Sequence, residues 1–500
     1  MLISGPSGPN DHTGIWLYSV AGREFRLLRD GASNAVPSPD GSHIAFVSGA
    51  DEVWQMGANA EDASRIVPSV KGYSVERVAW SPDGHRIATL RSHSGYDEAL
   101  IESWELRGGS STVLLSDPRL RNFCWAPDGR ILFARLETPA EASANIWEIE
   151  INSSTTRPSG EPRRLTNWAG FTLLDLSPTA DGKRIAFVRK TDQSDVYVGD
   201  LEANGSRLNS VRRLTLDDRM DWPAGWLRDG KTVLFFSNRS GHFDIFQQSV
   251  NDRTPREIIA STEEKRAPQL SPDGAWFLYL SWPMRNDSLP SASGRMVRIP
   301  VSGGPPESVF EVKGYPGSAQ VPRERWLPTA RGYPDLRCPS LPGSLRPCIV
   351  SEVNQEQIVF SGFDPIQGRQ GELARLDVDP ADSFWDLSPD GSRIAFGKFE
   401  VSGGRIRILD LAGGEPRIIE LRDWNNLISV GWSADGKSLF ATNWSSLAGS
   451  ILHVALNGEA HLLHTAAGMT LERPVPSPDG RYLIFGDVIT TSNAWMVEIH

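Results

Sequence analysis

Short apolar runs rich in branched and aromatic side chains recur along this chain, each just after an Asp-Gly pair. Ile44-Ala45-Phe46-Val47, Ile185-Ala186-Phe187-Val188, Val233-Leu234-Phe235-Phe236 and Leu483-Ile484-Phe485 are apolar at consecutive positions. Strands of that kind need both faces covered. A second kind of run has an aromatic or branched centre: Val53-Trp54-Gln55-Met56, Asn145-Ile146-Trp147-Glu148, Asp195-Val196-Tyr197-Val198, Asp244-Ile245-Phe246 and Ala494-Trp495-Met496-Val497. A polar turn then leads to a further strand, typified by Arg163-Arg164-Leu165-Thr166 and Arg212-Arg213-Leu214-Thr215. Each unit predicts four strands, and the fold class is all-β.

The punctuation between strands fixes the period. Pairs stand at Asp40-Gly41, Asp83-Gly84, Asp128-Gly129, Asp181-Gly182, Asp229-Gly230, Asp273-Gly274, Asp390-Gly391, Asp435-Gly436 and Asp479-Gly480, several as Ser-Pro-Asp-Gly. Pro pre-sets the second position of a type I turn, Asp suits the third, and Gly takes the left-handed conformation that closes the hairpin. Successive glycines lie 43, 45, 53, 48, 44, 117, 45 and 44 residues apart. A period near 45 residues is the size of a four-stranded propeller blade, and the long gap has room for one degenerate blade.

About ten blades exceed the usual ring. The expected arrangement is a complete seven-bladed ring over residues 160–500, with an insertion at 301–347, preceded by an incomplete ring over 1–159. The alternative is a single ring of ten. On the two-ring reading, the chain begins in the middle of a blade at Leu2-Ile3-Ser4, and proteolysis should release a fragment starting near Glu161.

The Ser-Pro-Asp-Gly turn followed by Ile-Ala-Phe, an Ile-Trp/Tyr/Phe strand and Arg-Arg-Leu-Thr resembles the WD40-like repeat of TolB-type β-propellers, over nearly the whole chain. More narrowly, Arg163 to Asn167, Asp217 to Trp226 and Phe360 to Gly368 resemble the C-terminal propeller region of bacterial receptor-type serine/threonine kinases and winged-helix regulators. That likeness implies a sensory role in a membrane-anchored parent.

Composition narrows the function. The 46 Gly and 35 Pro suit a chain that turns often, and most of the 17 Trp fall at core-strand positions. A net charge of −11, with cations interspersed among acids, disfavours nucleic acid and anionic membrane surfaces as partners. There is no run of eighteen apolar residues, and Met1 to Gly5 is not a signal sequence. The expected location is the cytoplasm by default, or outside it if the chain is the sensor of an anchored parent.

Three cysteines are present. Cys124 beside Trp125 reads as a buried thiol. Cys338 and Cys348 flank a loop that a disulfide could close, stabilising by about 3 kcal/mol and implying an oxidising compartment; two free thiols are the alternative.

No catalytic, cofactor or metal site is expected. The nearest thing to a nucleophile elbow, Gly431-Trp432-Ser433-Ala434-Asp435, has its serine at the repeat's turn position. No His-Arg-Asp loop or Asp-Phe-Gly of a kinase is present. Asp217, Asp218 and Asp221 are the best acidic cluster, and the His461 and His464 pair falls on a fourth strand.

The leading expectation is a non-enzymatic binding module that takes a protein, peptide or small-molecule ligand at its rim or funnel, as part of a signalling regulator. The alternatives are a TolB-like envelope scaffold and a prolyl-oligopeptidase-like propeller hydrolase. A fluorophosphonate probe should label no serine in this chain; labelling that disappears in Ser433→Ala would establish a hydrolase.

Overall fold

The computed structural model describes all residues except 1, 7–12, 50, 94–97, 107–108, 138–142, 153–154, 203–204, 284–292, 314–333, 342–343, 345, 355–356, 379–382, 401–402, 446 and 500. Among the described residues there are forty β-strands and no α-helix. Nearly all of the strands lie in four-stranded antiparallel sheets of hairpin-linked neighbours. The chain is a β-propeller protein.

One turn is repeated throughout. In the first copy the Ser38 hydroxyl donates to Asp40 Oδ1 at 2.6 Å and accepts the His43 amide at 2.9 Å. Asp40 Oδ1 also accepts the Ser42 amide at 3.1 Å, and Gly41 sits at φ 73°. Hydrogen bonds from Ser38 and Ser42 hold the Asp40 carboxyl down at about 2. The same serine-to-aspartate bond recurs at Ser81, Ser388, Ser433 and Ser477. Neighbouring turns also stack: the α-carbon faces of Gly84, Gly182 and Gly436 look onto Pro39, Pro127 and Pro389 of the preceding blades. The proline therefore serves packing between blades as well as turn geometry.

The chain divides into two compact units, residues 1–191 with 491–500 and residues 192–490. The second unit is a closed ring of six sheets. Blade 1 joins residues 470–490 to 192–213, and blades 2 to 6 follow at 221–259, 264–313, 335–377, 383–421 and 427–467. A core cluster fills every interface between neighbours. Val196 and Ile484 meet Trp226 and Phe235; Ile245 and Ile259 meet Tyr279 and Val297; Leu280 and Trp282 meet Leu336 and Phe363. Phe360 meets Trp385 and Phe396, Ile406 meets Trp432 and Leu439, and Phe440 and Ile451 close the circle on Leu471 and Phe485.

The first unit holds five sheets, of which the first has three strands. Clusters around Ile15, Val75, Phe123 and Leu173 join them in sequence. Among the described residues no core cluster joins the fifth sheet back to the first.

These boundaries differ from those expected. Residues 158–164 are the outer strand of the first unit's fourth sheet, paired with Trp147 and Glu148, so a division at 159/160 falls inside a sheet. The second unit has six blades rather than seven because one continuous strand, Arg184–Glu202, belongs to the first unit up to Thr191 and to the second from Asp192. Counting periods assigns such a strand to one ring only.

The insertion also shrinks. Glu307–Lys313 completes blade 3 and Asp335–Arg337 opens blade 4. Residues 314–333, including the turn-rich Gly314-Tyr315-Pro316-Gly317 and Arg331-Gly332-Tyr333, lie outside the described residues.

Blade 4 is the degenerate one, and it has no Asp-Gly turn. Its first two strands pair at three positions, ending with Arg337 opposite Ile349. Directly beyond that rung, a disulfide joins Cys338 to Cys348, with Cα atoms 4.2 Å apart, just short of the span expected for a bridge. The loop rests on the turn of blade 5: Leu341 N donates to Pro389 O at 3.0 Å. A Cβ added at Gly391 would come within 2.7 Å of both Pro339 and Arg346. Cys124 is buried and free, and burial pushes its thiol up to about 12.

The serine of the turn should be the costly residue to lose. Ser388→Ala leaves Asp390 Oδ1 and the Arg393 amide without that hydroxyl and should destabilise by about 1–3 kcal/mol. Ser392→Ala removes only a bond from a half-buried hydroxyl to the outer oxygen of Asp390 and should cost about 0.5 kcal/mol or less. Urea denaturation of the two variants checks the difference.

Candidate functional site: the charged axis of the six-bladed unit

The inner strands of the second unit surround its axis, and several carry a β-bulge; the one in blade 1 brings Arg473 toward the opposite blade. The strand Thr470–Pro476 shifts register between Glu472 and Val475. Arg473 at the bulge has φ 48°, a left-handed conformation rarely adopted by a residue with a side chain. Its backbone N–H donates to Ser429 Oγ at 3.1 Å, which fixes the bulge on blade 6.

From blade 1, the Arg473 guanidinium approaches Asp335 of blade 4 at 3.8 Å, so the contact spans the ring. Asp335 pairs with Arg337 at 2.8 Å, and Arg337 reaches Asp386 of blade 5 at 3.1 Å. Asp386 Oδ2 also accepts the Trp432 amide of blade 6 at 2.9 Å. Arg266 of blade 3 pairs with Glu264 at 3.0 Å, and Glu472 is fully buried beside Arg473.

Burial lowers the Arg473 pKa; Asp335 opposes this, while Arg337 and Arg266 add to it. Burial acts in the same sense on Arg337, but Asp335 and Asp386 outweigh it and the net shift is upward. Asp386 is raised by burial against the pull of Arg337. Cations and anions thus alternate around a confined axis. That suits a ligand with many hydrogen-bonding groups and little net charge, such as an extended polypeptide segment.

A second polar cluster closes the ring. In blade 1, Asp195 accepts from Arg213 Nη2 at 2.6 Å, and its backbone N–H donates to Asp487 Oδ1 at 3.2 Å. Burial raises Asp195 to about 7, with Arg213 opposing and Asp487 reinforcing. Burial likewise raises Asp487 to about 6.

This cluster gives Arg-Arg-Leu-Thr a physical role. Arg213 Nε donates to Thr215 O at 2.7 Å, and Thr215 Oγ1 accepts the Val196 amide at 3.0 Å. Arg164, Thr166 and Ile146 repeat both bonds in the first unit at 2.7 and 2.9 Å. The motif clamps a fourth strand to the third strand of its own blade.

The expected site residues fall elsewhere. The turn residues Asp40, Gly41, Asp83, Gly84, Asp128, Gly129, Asp273, Gly274, Asp390, Gly391, Asp479 and Gly480 all close hairpins. Asp221 and Asp217 are both engaged by Arg239, at 2.8 and 3.1 Å, while Asp218 stands exposed beside Arg219. Among the described residues no group of three or more His, Cys, Asp or Glu could hold a metal ion.

Ser433 is a buried turn residue. His453, opposite His461, contacts Ser438 Oγ at 2.8 Å, but its buried Nδ1 has no hydrogen-bond partner among the described residues. The axis residues Arg266, Asp335, Arg337, Asp386, Glu472 and Arg473 were not singled out from the sequence. Their available signal was charge inside an inner strand, as in Glu472-Arg473 and Lys265-Arg266, a few residues before a Ser-Pro-Asp-Gly turn.

Among curated proteins, the chain is 26% identical over 190 residues to the Tol-Pal system protein TolB of Francisella tularensis subsp. tularensis (strain WY96-3418), covering 37% of this chain and 40% of the relative. The TolB of Anaeromyxobacter dehalogenans (strain 2CP-C) is 31% identical over 143 residues, 28% of this chain and 29% of the relative. The repeats are TolB-like.

The chain thus spans less than half the length of these curated TolB relatives. No protein-family model matches the chain. Similar solved structures include the Dos1 propeller, with TM-score 0.30 and 10% identity over 86% of this chain and 93% of that one. Another is a chain of the nidogen/laminin complex, with TM-score 0.36 and 13% identity over 58% and 97%.

The buried acids of this TolB-like ring set a pH dependence. Unfolded aspartates titrate near 3.9, whereas Asp195 and Asp487 hold their protons in the fold to about 7 and about 6. Between about pH 4 and pH 7 the unfolded state has fewer protons to bind, so stability falls as pH rises and then levels off. Asp487→Asn should be more stable than the parent at about pH 8, by something on the order of 1–3 kcal/mol, and nearly equal to it at about pH 4. Thermal unfolding at both pH values measures this; a variant less stable at pH 8 would reverse the assignment.

Proposed function

We propose that the chain is a non-enzymatic binding propeller of a bacterial cell envelope, and that the axis of its six-bladed unit holds an extended segment of a partner protein. The observation that carries this reading is the cross-ring cluster of Arg473, Asp335, Arg337 and Asp386. It gathers charged hydrogen-bonding groups from three blades at the axis, which supports a segment inserted into the ring as the ligand. The TolB relatives support an envelope setting over the sensory part of a signalling regulator. The Cys338–Cys348 disulfide supports an oxidising compartment. No helix among the described residues is long and apolar enough to cross a membrane.

The test is affinity capture from an envelope extract of the source bacterium with the full chain and with Arg473→Ala. A protein recovered by the parent should be lost roughly tenfold or more with the variant, the effect of removing an interfacial charge worth over 1.4 kcal/mol. Equal recovery by both would move the binding surface off the axis.

A further inference from the structure

We propose that the Cys338–Cys348 disulfide is a redox latch on the charged axis: reduction by a dithiol would release the short inner strand of blade 4 and dismantle the Arg473–Asp335–Arg337–Asp386 cluster while leaving the rest of the ring folded. Its consequence for ligand binding rests on the reading that the axis is the binding site; the latch itself does not.

Three observations converge. The inner strand Asp335–Arg337 has three residues and three rungs to its neighbour. The inner strands of the other five blades each have at least five, so among the described residues this strand has the shortest ladder in the ring. Those few residues also carry the hub of the axis, since Asp335 faces Arg473 and Arg337 joins Asp335 to Asp386. Finally, the disulfide stands where the other blades have their hydrogen-bonded turn, one residue beyond Arg337. No Ser-Asp pair is present there to hold the hairpin when the bond is open.

The chemistry is thiol–disulfide exchange. Cys348 is fully buried, whereas Cys338 is only partly so, so a thiolate has its approach from the Cys338 side. A thiolate of the incoming dithiol attacks Cys338 Sγ and Cys348 leaves as a thiolate that takes up a proton. The second thiol of the reagent, as thiolate, then displaces Cys338, which is protonated in turn. The reagent ends as its own disulfide, oxidised by two electrons, and the protein gains two thiols.

Hydrogen exchange read by mass spectrometry on the full chain tests the latch, with dithiothreitol as the dithiol. Intact mass reports the gain of two hydrogens. Reduction should speed exchange in peptides covering 335–351 by roughly tenfold or more, while blade 6 at 427–467 and the first unit keep their protection. Reoxidation should restore it. A Cys338→Ala/Cys348→Ala double variant should behave like the reduced protein with or without reductant.

Three outcomes would overturn the latch: a native disulfide that dithiothreitol does not reduce, exchange at 335–351 changed by less than about twofold after reduction, or loss of protection in all blades together. The partner recovered in affinity capture gives an independent readout. If 335–351 opens on reduction and the partner is still retained, the latch stands and the axis reading fails.

Discussion

Closure of the six-bladed ring by one sheet made from both ends of its chain segment is the constraint on which the rest depends. Blade 1 sets residues 192–213 beside 470–490, and the Asp195 amide bonds to Asp487 across a separation of 292 residues. Bringing such distant strands together costs about 5 kcal/mol in loop-closure entropy on the logarithmic scaling. The return is collective: every blade of the ring gains a neighbour on both sides to pack its apolar residues against. The axis geometry follows from this closure. Arg473 lies in the closing sheet, and its distance to Asp335 on the opposite blade is meaningful only in a sealed ring.

The polar content of that seam works against stability. Burying Asp195 and Asp487 together raises both carboxyls, and two apolar side chains at such positions would often be the more stable choice. What the acids supply is directionality. Asp487 fixes the Asp195 amide, Asp195 fixes Arg213, and Arg213 fixes the carbonyl of Thr215. A slip of one residue would break all of these bonds at once, whereas apolar contacts would tolerate it.

The fold was legible in the sequence because the repeat signature is a set of local bonds. Ser38, Asp40 and Gly41 satisfy one another within six residues of chain, so their spelling alone predicts their geometry. Blade 4 was legible as a gap of the right length and as a cysteine pair at bridging distance. The division into units was not. A strand such as Arg184–Glu202, shared between two units, has the same local pattern as one confined to a single blade. The axis was missed for a related reason: Asp335 and Arg473 are distant in sequence, and each alone reads as a solvated charge.

The contrast between turn and axis bears on what the likeness to TolB can transmit. Turn residues are held by two requirements at once, closing their own hairpin and stacking on the preceding blade's turn, as Gly436 does on Pro389. Few substitutions satisfy both, and within this chain the turns keep their spelling from blade to blade. Axis positions have no such double duty. In the inner strands, matched by distance to the turn, Arg473 of blade 1 corresponds to Ala267 of blade 3 and Ser429 of blade 6. Ala267 and Arg473 fit the same backbone, with left-handed φ of 52° and 48°, whereas the bulge beside Ser429 is one residue shorter. The same bulge therefore accepts a small side chain in blade 3 and a charged one in blade 1. On the proposed reading of the axis, discrimination falls to such bulge positions and not to the turn motif.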